Sequence, residues 1–215
     1  MYRLYDYFRS SACYRVRIAL NLKNIAYEQM PVHLVKGQQA SIEYQTLNPQ
    51  KLIPALHDPN SNTVLTQSLA IIEYLEETHP KPALLPKDAQ ERAAVRAFAQ
   101  VMACDIHPLN NLRVLKYLKH TFHVSDEQKM QWYFHWLESG FEALEATLQA
   151  KTHVDPFCFG KTPTIADICL VPQVYNALRF EFPFDKYPKV LQVHEHCNKQ
   201  EAFVKALPEN QPDAE

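Results

Sequence analysis

The sequence predicts two domains of different class, an α/β unit of roughly 80 residues and then an all-helical unit. Three observations predict it. Over residues 1–80 the apolar spacing switches between a period of two and a helical period. Between His79 and Asp88 the stretch HPKPALLPKD holds three prolines, the composition of an interdomain linker. Beyond it strand signals fade and helical spacing runs on. The expected boundaries are 1–80, a linker at 81–87, and a helical domain at 88–215.

In the first unit, Tyr2 to Tyr7 alternates and is aromatic-rich, which reads as a strand. Arg9 to Ser11 breaks it, and from Cys13 the spacing turns helical through Val16, Ala19 and Leu20. Ile25 to Leu34 reads as a second strand. A helix crossing between two strands makes them parallel neighbours. LIPALHD and TVLTQS, split by the turn signal PNSN, read as an antiparallel hairpin. Ser68 to His79 is a helix with Leu69, Ile72 and Leu75 on one side.

In the second unit, Ala89 to Leu118 is one long helical pattern in which Pro108 predicts a kink. A Ser/Asp cap signal at Ser125 and Asp126 opens a helix carrying Trp132, Trp136 and Leu137. Thr162–Phe180 and Tyr187–Leu207 are the last two helical stretches. From Pro208 the chain is polar and reads as a mobile tail. No repeat period points to a solenoid.

Bulk properties exclude several function classes. The net charge of −2 offers no polybasic field for nucleic acid or an anionic membrane. The five cysteines (Cys13, Cys104, Cys158, Cys169, Cys197) are odd in number and lack CxxC spacing, which fits reduced thiols in the cytoplasm. Neither a signal-peptide core nor an apolar run of ~18 residues is present. The three glycines form no nucleotide-binding loop, and no G-x-S-x-G elbow occurs. HTFH (His120, His123) and HEHC (His194, His196, Cys197) lack the further ligands of a zinc site, so no metal is expected.

Chemistry concentrates at helix starts. Ser10 and Ser11 precede a helix, where serine is ordinarily a cap. The functional reading is that hydroxyls and N–H groups at this positive end steady an anion. Cys13 shares the turn; a thiol beside arginines at a helix start can ionise, but its spacing with Val16 and Leu20 favours a core position. Gln67 and Ser68 open another helix, either as a cap or as a second anion site suited to a carboxylate. Ile53-Pro54 stands at the entrance of an apolar strand, where a cis bond would free residue 53 to pair with a peptide-like ligand. Thr164 and Asp167 are spaced as a capping box and read as structural.

FRSSACYRVRIALNLK, LNPQKLIPAL, QSLAIIEYLEE and TIADICLVPQVYNALRF, in this order, strongly resemble the zeta class of glutathione transferases. The similarity covers nearly the whole chain, including LLPKD and IHPLNNLRVLK; the S-S-x-x-x-R-V-R-I-A-L block is specific to the class. The resemblance implies a thioredoxin-like N-terminal domain, an all-helical C-terminal domain, and a homodimer with one glutathione site per subunit. It implies that Ser10 and Ser11, with Ala12 and Cys13 in the same turn, lie nearest the glutathione sulfur. Ile53-Pro54 is then the cis peptide whose backbone pairs with the cysteinyl unit. Gln67 and Ser68 hold the γ-glutamyl carboxylate, and Gln39 lies near the glycyl end. His107 and Asn111 line the site from the helical domain, and Arg179 receives a substrate carboxylate. Two departures stand out: Ala12 where the class usually has cysteine, and His107 where glutamine is common.

The implied activity is glutathione-dependent cis–trans isomerisation of maleylacetoacetate to fumarylacetoacetate, a step of tyrosine and phenylalanine breakdown. A thiolate adds to the conjugated double bond, rotation follows, and elimination returns glutathione unchanged. The protein must then keep a thiol ionised and hold a small dicarboxylate. Serine donation serves the first task; Arg9, Arg15 and Arg179 are the candidates for the second. Arg15 has a structural salt bridge as its alternative, and Arg17 is expected on the solvent side. Within the class, maleylpyruvate or a small α-haloacid is an alternative substrate. The alternative of another class is a non-enzymatic adaptor, against which the joint presence of Ser10, Ser11, Ile53-Pro54, Gln67 and Ser68 argues.

Overall fold

The computed structural model describes residues 1–151 and 155–215. Two compact units emerge: Met1–Leu84 together with Asn198–Glu215, and Leu85–Cys197. In the first, β1 (Tyr2–Asp6) leads into α1 (Ser11–Leu22) and β2 (Tyr27–Pro31). A short α2 (Ile42–Leu47) follows, then β3 (Ala55–Asp58), β4 (Thr63–Thr66) and α3 (Ser68–Thr78). The strand order is β2-β1-β3-β4. β1 and β2 are parallel, and β3 pairs antiparallel with both β1 and β4. These are the strands, crossover and hairpin that the sequence predicts. The sequence gives no sign of α2, because it buries Tyr44 while Ile42 at its start is 84% exposed, leaving no apolar stripe. Leu4, Val16, Ile18, Leu20, Leu56 and Ile72 build the core of this unit.

In the second unit, Asp88 caps α4 (Ala89–Gln100) by accepting from the N–H groups of Gln90 and Glu91. The expected kinked helix does not continue through Pro108. A π-helical turn over Val101–Ile106 ends it, and Asn111 caps a new helix, α5 (Leu112–Thr121), from Arg113 N–H at 3.0 Å. Ser125 and Gln128 form a capping box for α6 (Asp126–Gln149). Gly140 lets the π turn approach α6, since a Cβ there would collide with the Ile106 side chain. Asp167 accepts from the N–H and hydroxyl of Thr164 at the start of α7 (Ile165–Arg179), the expected box. Buried Glu145 of α6 accepts from the N–H groups of Lys189 and Val190 and so caps α8 (Pro188–Cys197).

The predicted last helix is two. After α8 ends, α9 (Glu201–Ala206) packs on α1 in the first unit, where Asn21 donates to Ala202 O and Arg17 to Ala206 O. Sequence order assigns residues 198–215 to the helical domain; contacts place them with the α/β unit. Nor is the segment after Pro208 a free tail. Gln211 is buried and donates to Lys205 O and Leu207 O, satisfying carbonyls at the end of α9. Among the described residues no helix is long and apolar enough to cross a membrane.

Candidate active site

Strand register brings the polar groups of the first unit to one edge. Tyr5 pairs with both Met30 and Ala55, and Ala55 pairs with Thr66. The Arg9–Ser11 segment leaves β1 at that edge, Ile53-Pro54 enters β3 there, and Gln67 and Ser68 leave β4 there. The chain leaving β2 at the same edge carries Gln39. One end of a small sheet thus collects Arg9, Ser10, Ser11, Ile53, Gln67 and Ser68.

Ser10 is the N-cap of α1, and its Oγ accepts from Cys13 N–H at 3.3 Å. That bond uses the oxygen; the hydroxyl hydrogen is a separate donor, so capping and anion binding are compatible. Ser11 is buried in the first turn, and half-buried Ala12 offers only its backbone as a polar group. Cys13 is 0% exposed and packs among Tyr7, Phe8, Val32, Tyr44 and Ile53. Burial pushes its thiol well above the ordinary range, with the Asp6 charge adding to the effect. Cys13 therefore drops out as a cofactor-binding side chain.

The three arginines of this segment differ. Arg9 is exposed, stacks over the Phe8 ring at 4.7 Å and donates to Tyr7 OH at 3.1 Å. Arg15 is 1% exposed and donates to Ser68 Oγ at 3.3 Å, so it braces the start of α3 and is not an open anchor for substrate. Arg17, expected toward solvent, is 0% exposed and bonds both Asp6 oxygens at 2.8 and 2.9 Å.

Opposite α1 along the edge, Gln67 occupies the cap position of α3 with φ 68°, a left-handed conformation costly for a residue with a Cβ. Its amide donates to Gln50 Oε1 at 2.8 Å. Ser68 is buried beneath it. Ile53-Pro54 is cis, and Leu52 O just before it accepts from Tyr44 OH and Asn48 Nδ2, both at 2.7 Å. Gln39 Oε1 is buried and has no hydrogen-bond partner among the described residues.

In the helical unit, His107 Nε2 lies 3.5 Å from Asn111 Nδ2. Arg179, in the last turn of α7, is exposed and donates to Asn176 Oδ1 at 3.1 Å. Asn176 in turn donates to Tyr133 OH at 2.8 Å, while Asn110 donates to Tyr133 O at 3.0 Å. Buried Tyr133 therefore ties the segment bearing His107 and Asn111 to the helix end bearing Arg179. Burial holds its phenol above the ordinary range, with Arg179 pulling the other way.

Residues 4–83 match the family described as Glutathione S-transferase, N-terminal domain. A probable maleylacetoacetate isomerase of Vibrio cholerae is 49% identical over 98% of this chain and 97% of its own. A bacterial zeta-class glutathione S-transferase, solved as holo maleylpyruvate isomerase, superposes with a TM-score of 0.96 at 46% identity, covering 99% and 100% of the two chains. The chain belongs to the zeta class of glutathione transferases. Another solved member, the maleylacetoacetate isomerase of Methylobacterium extorquens with malonate and glutathione bound, has a TM-score of 0.94 at 38% identity over 99% of each chain.

As a zeta-class transferase, the protein carries supports that sequence reasoning missed. Asn176 and Tyr133 orient Arg179, and Tyr44 and Asn48 fix the carbonyl before Ile53. Asn176 had a readable signal, three residues before Arg179 on one helix face. Tyr133 acts across 43 residues, and Tyr44 and Asn48 reach from a different element to a loop carbonyl 8 and 4 residues on, which no apolar period marks.

Proposed function

We propose that this transferase isomerises a maleyl dicarboxylate, maleylacetoacetate in the first instance, with glutathione as cofactor. The observation that carries the reading is the shared sheet edge: two helix starts, each with serine, flank the peptide at Ile53. Glutathione has a carboxylate at each end and a thiol between. The buried, unpartnered Gln39 Oε1 and the two helix starts fit such a molecule. Gln67 and Ser68 would hold the γ-glutamyl carboxylate, Ile53 the central backbone, and Gln39 the glycyl side. When bound, glutathione supplies a thiolate able to add reversibly to the substrate's double bond.

The chain's own residues do the rest. Ser10 donates to the sulfur and, with the N–H groups of the first turn of α1, favours its charged form. Arg15 places Ser68 and holds a buried positive charge behind the carboxylate site. Arg179, already oriented by Asn176, receives a substrate carboxylate; exposed Arg9 is the candidate for the other. Isomerisation of maleylacetoacetate with and without glutathione is the test, and absence of a glutathione-dependent rate overturns the reading. The likeness to the holo maleylpyruvate isomerase supports maleylpyruvate as the second reading; the ratio of kcat/KM for the two substrates decides. A homodimer in the cytoplasm belongs to the same reading on family resemblance alone, and sedimentation equilibrium tests the dimer.

A further inference from the structure

The turn that presents Ser10 is held from both sides by residues that the functional reading leaves unused. It runs from Tyr7 to Ser10 and is closed by Ser10 N–H donating to Tyr7 O at 2.9 Å. Phe8 stands at its first corner, and both backbone groups of Phe8 are engaged. The N–H donates to Asp213 Oδ2 at 3.0 Å, and the carbonyl accepts from Arg17 Nη2 at 2.9 Å. Arg17 is itself locked by Asp6 and by Ala206 O at 3.1 Å. A turn closed only by its own hydrogen bond can still pivot about its ends. Bonds to the peptide groups on either side of its corner remove that freedom.

Asp213 is not needed merely to hold its own segment down. Gln211 already does so, through Lys205 O, Leu207 O and a bond from Gln29 Nε2 at 2.8 Å. What Asp213 adds is an ionised acceptor aimed at the turn, and such bonds are stronger than neutral ones. We propose that Asp213 is a positioning residue for the reaction. Acting through Phe8 N–H, its carboxylate fixes where the Ser10 hydroxyl and the first N–H groups of α1 point. It thereby sets how strongly the site favours a thiolate. This rests on the reading of Ser10 as a donor to the glutathione sulfur.

The test compares Asp213→Ala, Asp213→Asn and, as control, Glu201→Gln, whose side chain bonds Lys205 in solvent. The readouts are the ultraviolet thiolate titration of bound glutathione, kcat, KM and Tm. Asp213→Ala is expected to raise the titration midpoint by about one pH unit and lower kcat roughly tenfold, the size of one charge-assisted hydrogen bond. KM should change little. Asp213→Asn keeps an acceptor oxygen without the charge and should recover about half of both losses. Wild-type midpoint and kcat in Asp213→Ala overturn the inference. So does a loss of Tm and kcat together that Asp213→Asn does not rescue, because that marks a purely structural clamp. A wild-type protein that binds glutathione without ionising it overturns the functional reading itself, and the inference with it.

Discussion

Replacing Ser10 by alanine separates its two roles, because they differ in magnitude. The cap bond from Cys13 N–H is 3.3 Å long and half-exposed, at the weak end of such bonds. Losing it should cost about 0.5–1 kcal/mol, in the lower part of the range for capping serines. For a chain of this size that is a fall in Tm of roughly 1–4 °C. A hydrogen bond to a thiolate is worth more, about 1.5–3 kcal/mol. Lost from the charged form alone, it raises the thiol pKa by about one to two units. At a pH below both midpoints the ionised fraction, and kcat with it, then falls roughly 10–100-fold. Urea melts, kcat at saturating glutathione, and the thiolate absorbance of the complex against pH measure the three quantities. Ser10→Ala with a wild-type titration midpoint would refute the donor role whatever its stability. Ser11→Ala reproducing the whole loss, with Ser10→Ala inert, would transfer the role to Ser11.

Three further outcomes are expected. Arg179→Ala should raise KM for a dianionic substrate roughly 10–100-fold with Tm nearly unchanged, because the side chain is exposed and gives up a surface bond to Asn176 and a 5.6 Å contact with the Phe180 ring; an unchanged KM removes it from the site. Asp6→Asn leaves the buried Arg17 charge without its counter-ion and should cost about 3–5 kcal/mol in urea unfolding, with Arg17→Met on that background restoring part of it; a loss below 1 kcal/mol refutes the buried-pair argument. His194 is buried, and burial pushes its pKa from 6.5 down to about 4. The unfolded chain therefore binds the extra proton first as pH falls, so stability present above pH 6.5 is lost between 6.5 and 4, by up to roughly 3 kcal/mol. His194→Gln should flatten that part of the curve of unfolding free energy against pH, and an unaltered slope there counts against the assignment.

Apart from α2, the secondary structure of the first unit was legible because each element has one period and a clear partner. β1 and α1 show it directly: alternation through Tyr7, then helical spacing from Cys13. Legibility failed where a residue's partner is distant in sequence. Arg17 on a helix surface reads as solvated until Asp6 and Ala206 arrive beside it. Asp213 and Gln211 read as a polar tail, because polarity is also what an internal clamp on a backbone N–H and on carbonyls requires. The break at Pro108 was misjudged for a different reason: proline marks where a helix cannot continue normally, but the cap at Asn111 decides that a new one begins. Of the candidate site, the residue types were legible and their depth was not. Exposure separates Arg9 and Arg179 from Arg15 and Arg17, and nothing in the local sequence encodes it.

That separation changes the meaning of the class-specific block from Ser10 to Leu20. Arg15 and Arg17 are two residues apart, so their side chains leave α1 about 200° from each other. One reaches Ser68 under the start of α3, and the other reaches Asp6 and the carbonyl of Phe8 beneath the Tyr7–Ser10 turn. A single helix thus braces both helix starts proposed to meet glutathione, one at its γ-glutamyl carboxylate and the other at its thiol. Burying two guanidinium groups in so small a unit is expensive unless their hydrogen bonds are met. Apolar residues of similar volume would serve the core as well or better. The arginines do something that apolar residues cannot, which is to donate to Ser68 Oγ and to Phe8 O and so hold the polar groups at both helix starts. Cys13 completes the contrast. Its thiol is buried and held in the neutral form, so this turn supplies no nucleophile of its own. On the proposed mechanism the reacting sulfur is that of glutathione, and the two helix starts are there to receive it.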